Sequence, residues 1–424
     1  MGEIPPKLPA HINPPFTPTL PAELWNQIFE YVVYVRGIMD SYTPDPFDVP
    51  GCRLPHQKFP MKEYRASLVY KRSLVLVCKR WNILAMPLLY QVVVLGPRNI
   101  GPLYRTIKHS ERHLYLSTAM STLGSFVRHI ELNTLDRVHD IVGILRCTYR
   151  LEIFSVDCLL YDAHILPTPL VVALTSACHS TLRRLSFRGA YPDSSDCLDI
   201  IRSCQYLQTT FLANPDVGYG FCPVEVLKSP HVTFLSVGHN ISDPRSNASV
   251  PDVVLQAPPS VQGHFLLSSK FSIPLEDWSL LLARHGHRFR TIYLEMHDAD
   301  RDVQKCLDIF SANCPNLQHF ILVTLNFRRL AAALPYSFPP TITHLGLYAK
   351  QEGSFFTLFS ALAELGEETT PLTPRLQVLR LLNPSASDVL RGEGLMGSFG
   401  PLVRSLPFRV QDHDGQEMLS EPWQ

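Results

Sequence analysis

A six-residue pattern recurs along this chain from residue 127 onward, and it limits the fold more than any other feature. Apolar residues take its first, fourth and sixth places in VRHIEL, LEIFSV, LRRLSF, VTFLSV, FRTIYL, LQHFIL, ITHLGL and LQVLRL, and LQTTFL fits with one lapse. The copies start at 127, 151, 182, 207, 232, 289, 317, 342 and 376, so most lie 24 to 34 residues apart. The one gap of 57 residues is about two units wide, which predicts a degenerate copy near 253 to 266. Helix-like segments fill the intervals: VHDIVGILRCTYR, PLVVALTSACHS, SDCLDIIRSCQY, PLEDWSLLLARHG, DVQKCLDIFSANC and FFTLFSALAELG. A lone strand and helix cannot bury its own apolar face, so units at this period must stack on their neighbours.

A strand plus a helix at this spacing predicts an α/β fold, an irregular leucine-rich-repeat solenoid over residues 96–382. ACHSTLRRLSF and NCPNLQHFIL resemble the cysteine-containing form of that repeat, with Cys178, Cys204 and Cys314 as packing residues just before a strand. Strand residues alternate between faces, so those between the buried places point away from the core. This puts Arg184, Ser186, Arg188, Phe211, Phe234, Tyr293, Glu295, His319, His344 and Tyr348 on one wall. Arg184, Arg188, Phe211, Phe234, Tyr293, His319 and Tyr348 are the candidates for binding a protein substrate, because aromatic and Arg anchors carry much of the affinity at partner surfaces. Taken singly, each reads first as a solvated or incidental surface residue; the case for a partner surface is collective.

The N-terminal quarter differs. After a proline-rich lead at 1–18, TLPAELWNQIFEYVVYV opens with Pro21 and Glu23, which suit a helix start. Leu24, Ile28, Tyr31, Val32 and Val35 form one apolar stripe, widened by Trp25, Phe29 and Val33. Five prolines between residues 44 and 60 exclude regular structure from an insertion at about 36–62. Helical spacing returns in RSLVLVCKRWNILAMPLLY, with Leu74, Val77, Trp81, Leu84 and Leu88 in step and Pro87 expected to end the helix; QVVVL then reads as a strand. Residues 383–424 show no clear period and read as an irregular tail.

LPAELWNQIFEYV followed by LVCKRWNILAMPLLY resembles the F-box, through its Leu-Pro-x-Glu-Leu opening, its Val-Cys-Lys-x-Trp and its closing Pro-Leu-Leu-Tyr. The whole chain resembles fungal-type F-box proteins with C-terminal leucine-rich repeats. The resemblance implies an N-terminal helical F-box-like module over 19–95 that docks on the Skp-type adaptor and, through it, a cullin-RING ligase. It implies docking by Leu20, Pro21, Leu24, Ile28, Val77, Cys78, Trp81 and Leu84. It departs from the family in the roughly 30 residues between the helices, where a short link is usual. Two readings stand: the substrate-recognition adaptor of a Skp-cullin-F-box E3 ubiquitin ligase, or a ligase-independent interaction scaffold with a vestigial F-box. In the second, the helices are a cap on the solenoid and Trp81 is a core residue.

Equal numbers of basic and acidic residues, 38 each, argue against nucleic-acid or membrane-surface partners. The start MGEIPPKLPA has no secretory pattern, Pro6 breaks the myristoylation motif, and the apolar runs are too short to cross a bilayer, so a soluble cytoplasmic or nuclear protein is expected. Ten cysteines without a C-x-x-C then read as free thiols, and the sequons at Asn240 and Asn247 carry no weight. No catalytic, cofactor or metal residue is nominated: there is no G-x-S-x-G, H-E-x-x-H or P-loop. Gly392 to Gly397 matches G-x-G-x-x-G without a preceding strand, and His109 with His113, or His285 with His287, lack acidic or cysteine partners at ligand spacing. A non-catalytic receptor is expected.

Overall fold

The computed structural model describes residues 20–54, 57, 59–114, 122–158, 164–192, 194–213, 234–237, 263–268, 279, 282–283, 286–296, 303–326, 328–329, 331, 337–351, 357–362, 374–385, 400–401, 403 and 406–417. The chain divides into two compact units, Met1–Val35 with Met61–Leu89, and Arg36–Pro60 with Tyr90–Gln424.

The first unit is helical, with α1 (Ala22–Val33), α2 (Met61–Val77) and α3 (Lys79–Gln91), whose last two residues lie in the second unit. Pro21 occupies the N-cap position of α1, and its carbonyl accepts from the Trp25 N–H at 3.2 Å. The Ser67 hydroxyl of α2 donates to the Val33 carbonyl at 2.8 Å, satisfying one orphan acceptor at the end of α1. RSLVLVCKRWNILAMPLLY is not one helix: it breaks at Cys78, where the Asn82 side chain donates to the Val75 carbonyl at 2.9 Å. Pro87 does not stop α3. Ala85 and Leu88 beside it are buried with Phe29 and Val33, and this packing offsets the backbone hydrogen bond that Pro87 cannot donate.

The second unit is built on a twelve-stranded sheet. Its strands are β1 (Val92–Leu95), β2 (His129–Leu132), β3 (Ile153–Asp157), β5 (Arg184–Arg188), β7 (Thr209–Ala213), β8 (Phe234–Val237), β9 (Gly263–Ser268), β10 (Phe289–Met296), β11 (His319–Thr324), β12 (His344–Ala349), β13 (Val378–Leu381) and β14 (Arg409–Gln411), in that spatial order. Each pairs parallel with its neighbours; β4 (His164–Ile165) and β6 (Ala190–Tyr191) form a separate two-stranded ladder. Every copy of the six-residue pattern is a strand, and the degenerate copy is β9. The sheet also takes in QVVVL as β1, and β14 from the segment expected to be an irregular tail. Helices α4 (Ile100–Leu114), α5 (Val138–Cys147), α6 (Thr168–Ala177), α7 (Ser194–Ser203) and α8 (Val303–Asn313) lie in the intervals, and residues 357–362 are helical. The expected helix at PLEDWSLLLARHG falls mostly outside the described residues.

Apart from a bulge between Phe289 and Thr291 of β10, opposite Gly263 and His264, the register is in phase. Val92, His129, Ile153, Arg184, Thr209, Phe234, His264, Thr291, His319, His344, Val378 and Arg409 are partners in one continuous row. Because side chains alternate, one face of the sheet is apolar and packs on the helices: Ile130, Phe154, Phe187, Ile292, Phe320, Leu345 and Leu379 share a core with Ile141, Leu145, Leu170 and Leu174. Cys178, Cys204 and Cys314 are buried before their strands, and burial pushes each thiol up to about 12, as inert packing groups require.

On the opposite face lies the segment 36–60, hereafter the strap, which groups with the sheet and not with the helices it interrupts in sequence. Its contacts show that the sheet curls. The Ile38 carbonyl is 2.7 Å from His129 Nδ1 on β2, while Arg36, two residues earlier, donates to Asp414 just past β14 at 2.8 Å. Ten strand-to-strand steps separate β2 from β14, about 48 Å if flat, whereas two residues of chain span only about 7 Å. The strap therefore runs inside the curl.

Candidate functional site

Two surfaces carry the residues singled out by sequence. On the first unit, α1 has two apolar rows one residue out of step. Trp25, Phe29 and Val33 form the inner row, with Phe29 and Val33 buried. Leu20, Leu24, Ile28 and Val32, spaced four apart, form the outer row and are 39–47% exposed. Exposed Val77 and Cys78 sit at the α2–α3 junction, and Arg80 beside them donates to the Leu20 carbonyl at 3.0 Å. Six of the eight docking candidates, Leu20, Pro21, Leu24, Ile28, Val77 and Cys78, are thus exposed on α1 or the junction. Trp81 and Leu84 pack inward instead, with the Trp81 ring 4.8 Å from those of both Trp25 and Phe29. The spacing pattern missed Leu76, which, with Tyr31 of the expected stripe, is among the most exposed apolar side chains of the unit's described residues.

On the second unit, the expected partner-binding wall is the inner face of the curl, and the strap covers it. Arg184 donates to the Asp40 carbonyl at 3.1 Å and Arg188 to the Gln57 carbonyl at 3.0 Å. His319 Nδ1 lies 2.7 Å from Asp45 Oδ2. Tyr293 is fully buried in a cluster with Leu54, Ile321, Val323 and Leu382, against which Phe47 and Tyr348 pack. The side chains of Phe211 and Phe234 lie outside the described residues; their backbones belong to β7 and β8. Five of the seven substrate candidates therefore face the chain's own strap and not solvent. The alternation of side chains predicted the face correctly, but it carries no information about what sits on that face.

Asp45 is the strap's main anchor. Its Oδ2 also accepts from the Thr291 hydroxyl, and its Oδ1 from the Phe47 N–H at 2.9 Å. Burial alone would raise its pKa, but these hydrogen bonds and the attraction of His319 prevail and hold the carboxyl down at about 2. Phe47 lies with its ring 5.0 Å from His319 and 5.1 Å from His344, and the Arg380 guanidinium stands 5.1 Å over it. Arg380 donates to the Pro46 carbonyl and is oriented by Gln411 at 2.6 and 3.0 Å. Gly346 makes the seat possible: a Cβ there would stand 3.3 Å from Phe47 and 2.7 Å from Leu382. Burial, then His319 and Arg380, lower His344 to about 4, so this ring is neutral at physiological pH.

Further along, Arg290 reaches both Asp48 oxygens at 2.9 and 3.2 Å. The Gly51 N–H donates to the His413 carbonyl at 2.8 Å, and its φ of +70° needs a residue without a side chain. At the β2–β5 end Asp40, Arg53, Glu131, Arg184 and Arg188 line a cavity of about 10 Å³, room for one water. Burial lowers Arg53 to about 9 and Arg184 to about 10, and both stay charged at neutral pH. Among the described residues no group of three or more His, Cys, Asp or Glu side chains could hold a metal ion, and no helix is long and apolar enough to cross a membrane. The G-x-G-x-x-G stretch and His285 lie outside the described residues, as does the side chain of His113.

No family model matches the chain, and no curated protein matches it. Among solved structures it is similar to the crystal structure of the leucine-rich repeat-containing protein LegL7 from Legionella pneumophila, at a TM-score of 0.42 and 14% sequence identity, over 77% of this chain and 91% of that one.

Proposed function

We propose that this protein is the substrate-recognition adaptor of a Skp-cullin-F-box E3 ubiquitin ligase, with an F-box-like helical module that binds the Skp-type adaptor and a leucine-rich-repeat solenoid that receives a protein substrate. It performs no bond chemistry; its mechanism is proximity, raising the local concentration of substrate lysines near the cullin-bound enzyme. One observation carries the reading: the outer row Leu20, Leu24, Ile28 and Val32 is exposed although the helix already buries a separate apolar row. A helix that only capped a neighbouring core would need one apolar row, whereas a second row held in solvent fits a partner's groove. The Leu-Pro-x-Glu-Leu and Val-Cys-Lys-x-Trp resemblance names that partner.

The test is capture of a purified Skp-type adaptor by the full chain and by a form carrying Leu24→Glu and Ile28→Glu. Capture by the first and not the second supports the docking role. No capture by either, with both folded, leaves a ligase-independent scaffold.

A further inference from the structure

The strap is held the way a bound peptide is held. None of its described residues joins a strand. Four of its carbonyls, those of Ile38, Asp40, Pro46 and Gln57, accept from side chains of the sheet: His129, Arg184, Arg380 and Arg188. Such contacts grip a backbone whatever its sequence, here one that turns where the Asp45 carbonyl accepts from the Asp48 and Val49 N–H groups at 3.1 and 2.9 Å, and selectivity is left to pockets for particular side chains. Two pockets are built here. His319 and Thr291 take a carboxylate, and His344, Arg380 and the bare backbone of Gly346 take an aromatic ring. The wall is rich in donors, and the strap is poor in them: Pro44, Pro46 and Pro50 have no N–H to leave unpaired against arginines.

We propose that the inner face between β10 and β13 is a peptide-binding site whose ligand is a proline-flanked, turn-forming segment bearing an aspartate and, two positions later, an aromatic residue, and that Pro44 to Phe47 occupies it in cis as an internal competitor. The proposal rests on the reading of this face as the wall that receives a partner, and it names the chemistry of what is received. A partner segment binds by displacing the strap, so the intact chain is self-blocked and its apparent affinity is reduced by the fraction of time the strap is open.

The experiment is a fluorescence-anisotropy titration of a labelled peptide of residues 41–50, SYTPDPFDVP, against the full chain and against the full chain carrying Asp45→Asn and Phe47→Ala. The substituted chain is expected to bind at least tenfold more tightly than the native one, and a peptide with the same two changes is expected to lose that binding. Equal, weak binding by both chains, with the variant folded, overturns the proposal. Hydrogen exchange on the native protein decides independently should the variant not fold. Strap amides exchanging by local opening, faster than those of Phe320 to Leu322 in β11, support a displaceable occupant; exchange of both sets in one global event shows a permanent strut and overturns it. Adaptor capture is measured on the other unit, so failure of either result leaves the other standing.

Discussion

Asp45 shows how much one residue of the strap commits. A buried carboxylate is tolerated only with partners, and this one has His319, Thr291 and the Phe47 N–H. Asp45→Ala leaves those donors buried without their acceptor and should cost about 3 kcal/mol in chemical denaturation. Its pH dependence follows from the depressed pKa of the folded state. The stabilisation, on the order of 2 kcal/mol, is complete above the ordinary aspartate range and is lost as pH falls from about 4 to about 2. His344 acts in an earlier window and in the same direction. Held neutral by burial, then by His319 and Arg380, it refuses a proton that the unfolded chain accepts, so stability falls between about pH 6.5 and 4. Melting temperatures measured from pH 7 to 3 should decline in two stages, and His344→Gln should remove the first.

At the scale of elements, α1 separates a buried apolar row from an exposed one by one residue of helical phase. Trp81→Ala removes the ring packed between Trp25 and Phe29 and should cost roughly 3 to 5 kcal/mol of folding stability in the helical unit. Leu24→Glu with Ile28→Glu should change stability by less than about 0.5 kcal/mol each, because both side chains already face water. Paired denaturation curves check both. Most strands were legible because they repeat a local pattern of three apolar places, which β14 lacks, and the inner-face positions of Arg184, Tyr293 and His319 followed from period-two alternation. The division of α1 into inner and outer rows was not legible, since Leu24 and Phe29 are equally apolar and only the packing of α2 and α3 distinguishes them. The strap was hidden for another reason. Asp45 and His319 are 274 residues apart, and Pro46 and Arg380 are 334 apart. The available signal was chemical: a run of aspartates and prolines, and a wall carrying several arginines and histidines.

The second unit as a whole is closed by its strap. Residues from β2 at one end to Asp414 at the other grip the same short segment, so the two ends of a curled sheet depend on each other through it. Removing residues 406–424 deletes β14 with Gln411, His413 and Asp414, which orient Arg380, hold Gly51 and pair with Arg36. The strap should then open, and trypsin should cut after Arg53 at least tenfold faster than in the full chain, as limited digestion followed by mass spectrometry would detect.

The same separation has a meaning during synthesis. The strap leaves the ribosome early, yet Arg36 meets a partner made 378 residues later. At roughly 5 to 20 residues per second, that is a wait of about 20 to 75 s. Throughout that interval the growing wall of arginines and the strap with its three aspartates are both exposed on one nascent chain. Synthesis of β14 and Asp414 is therefore what seals the strap, and a strap still cleavable by protease is a direct readout that this segment has not yet been added.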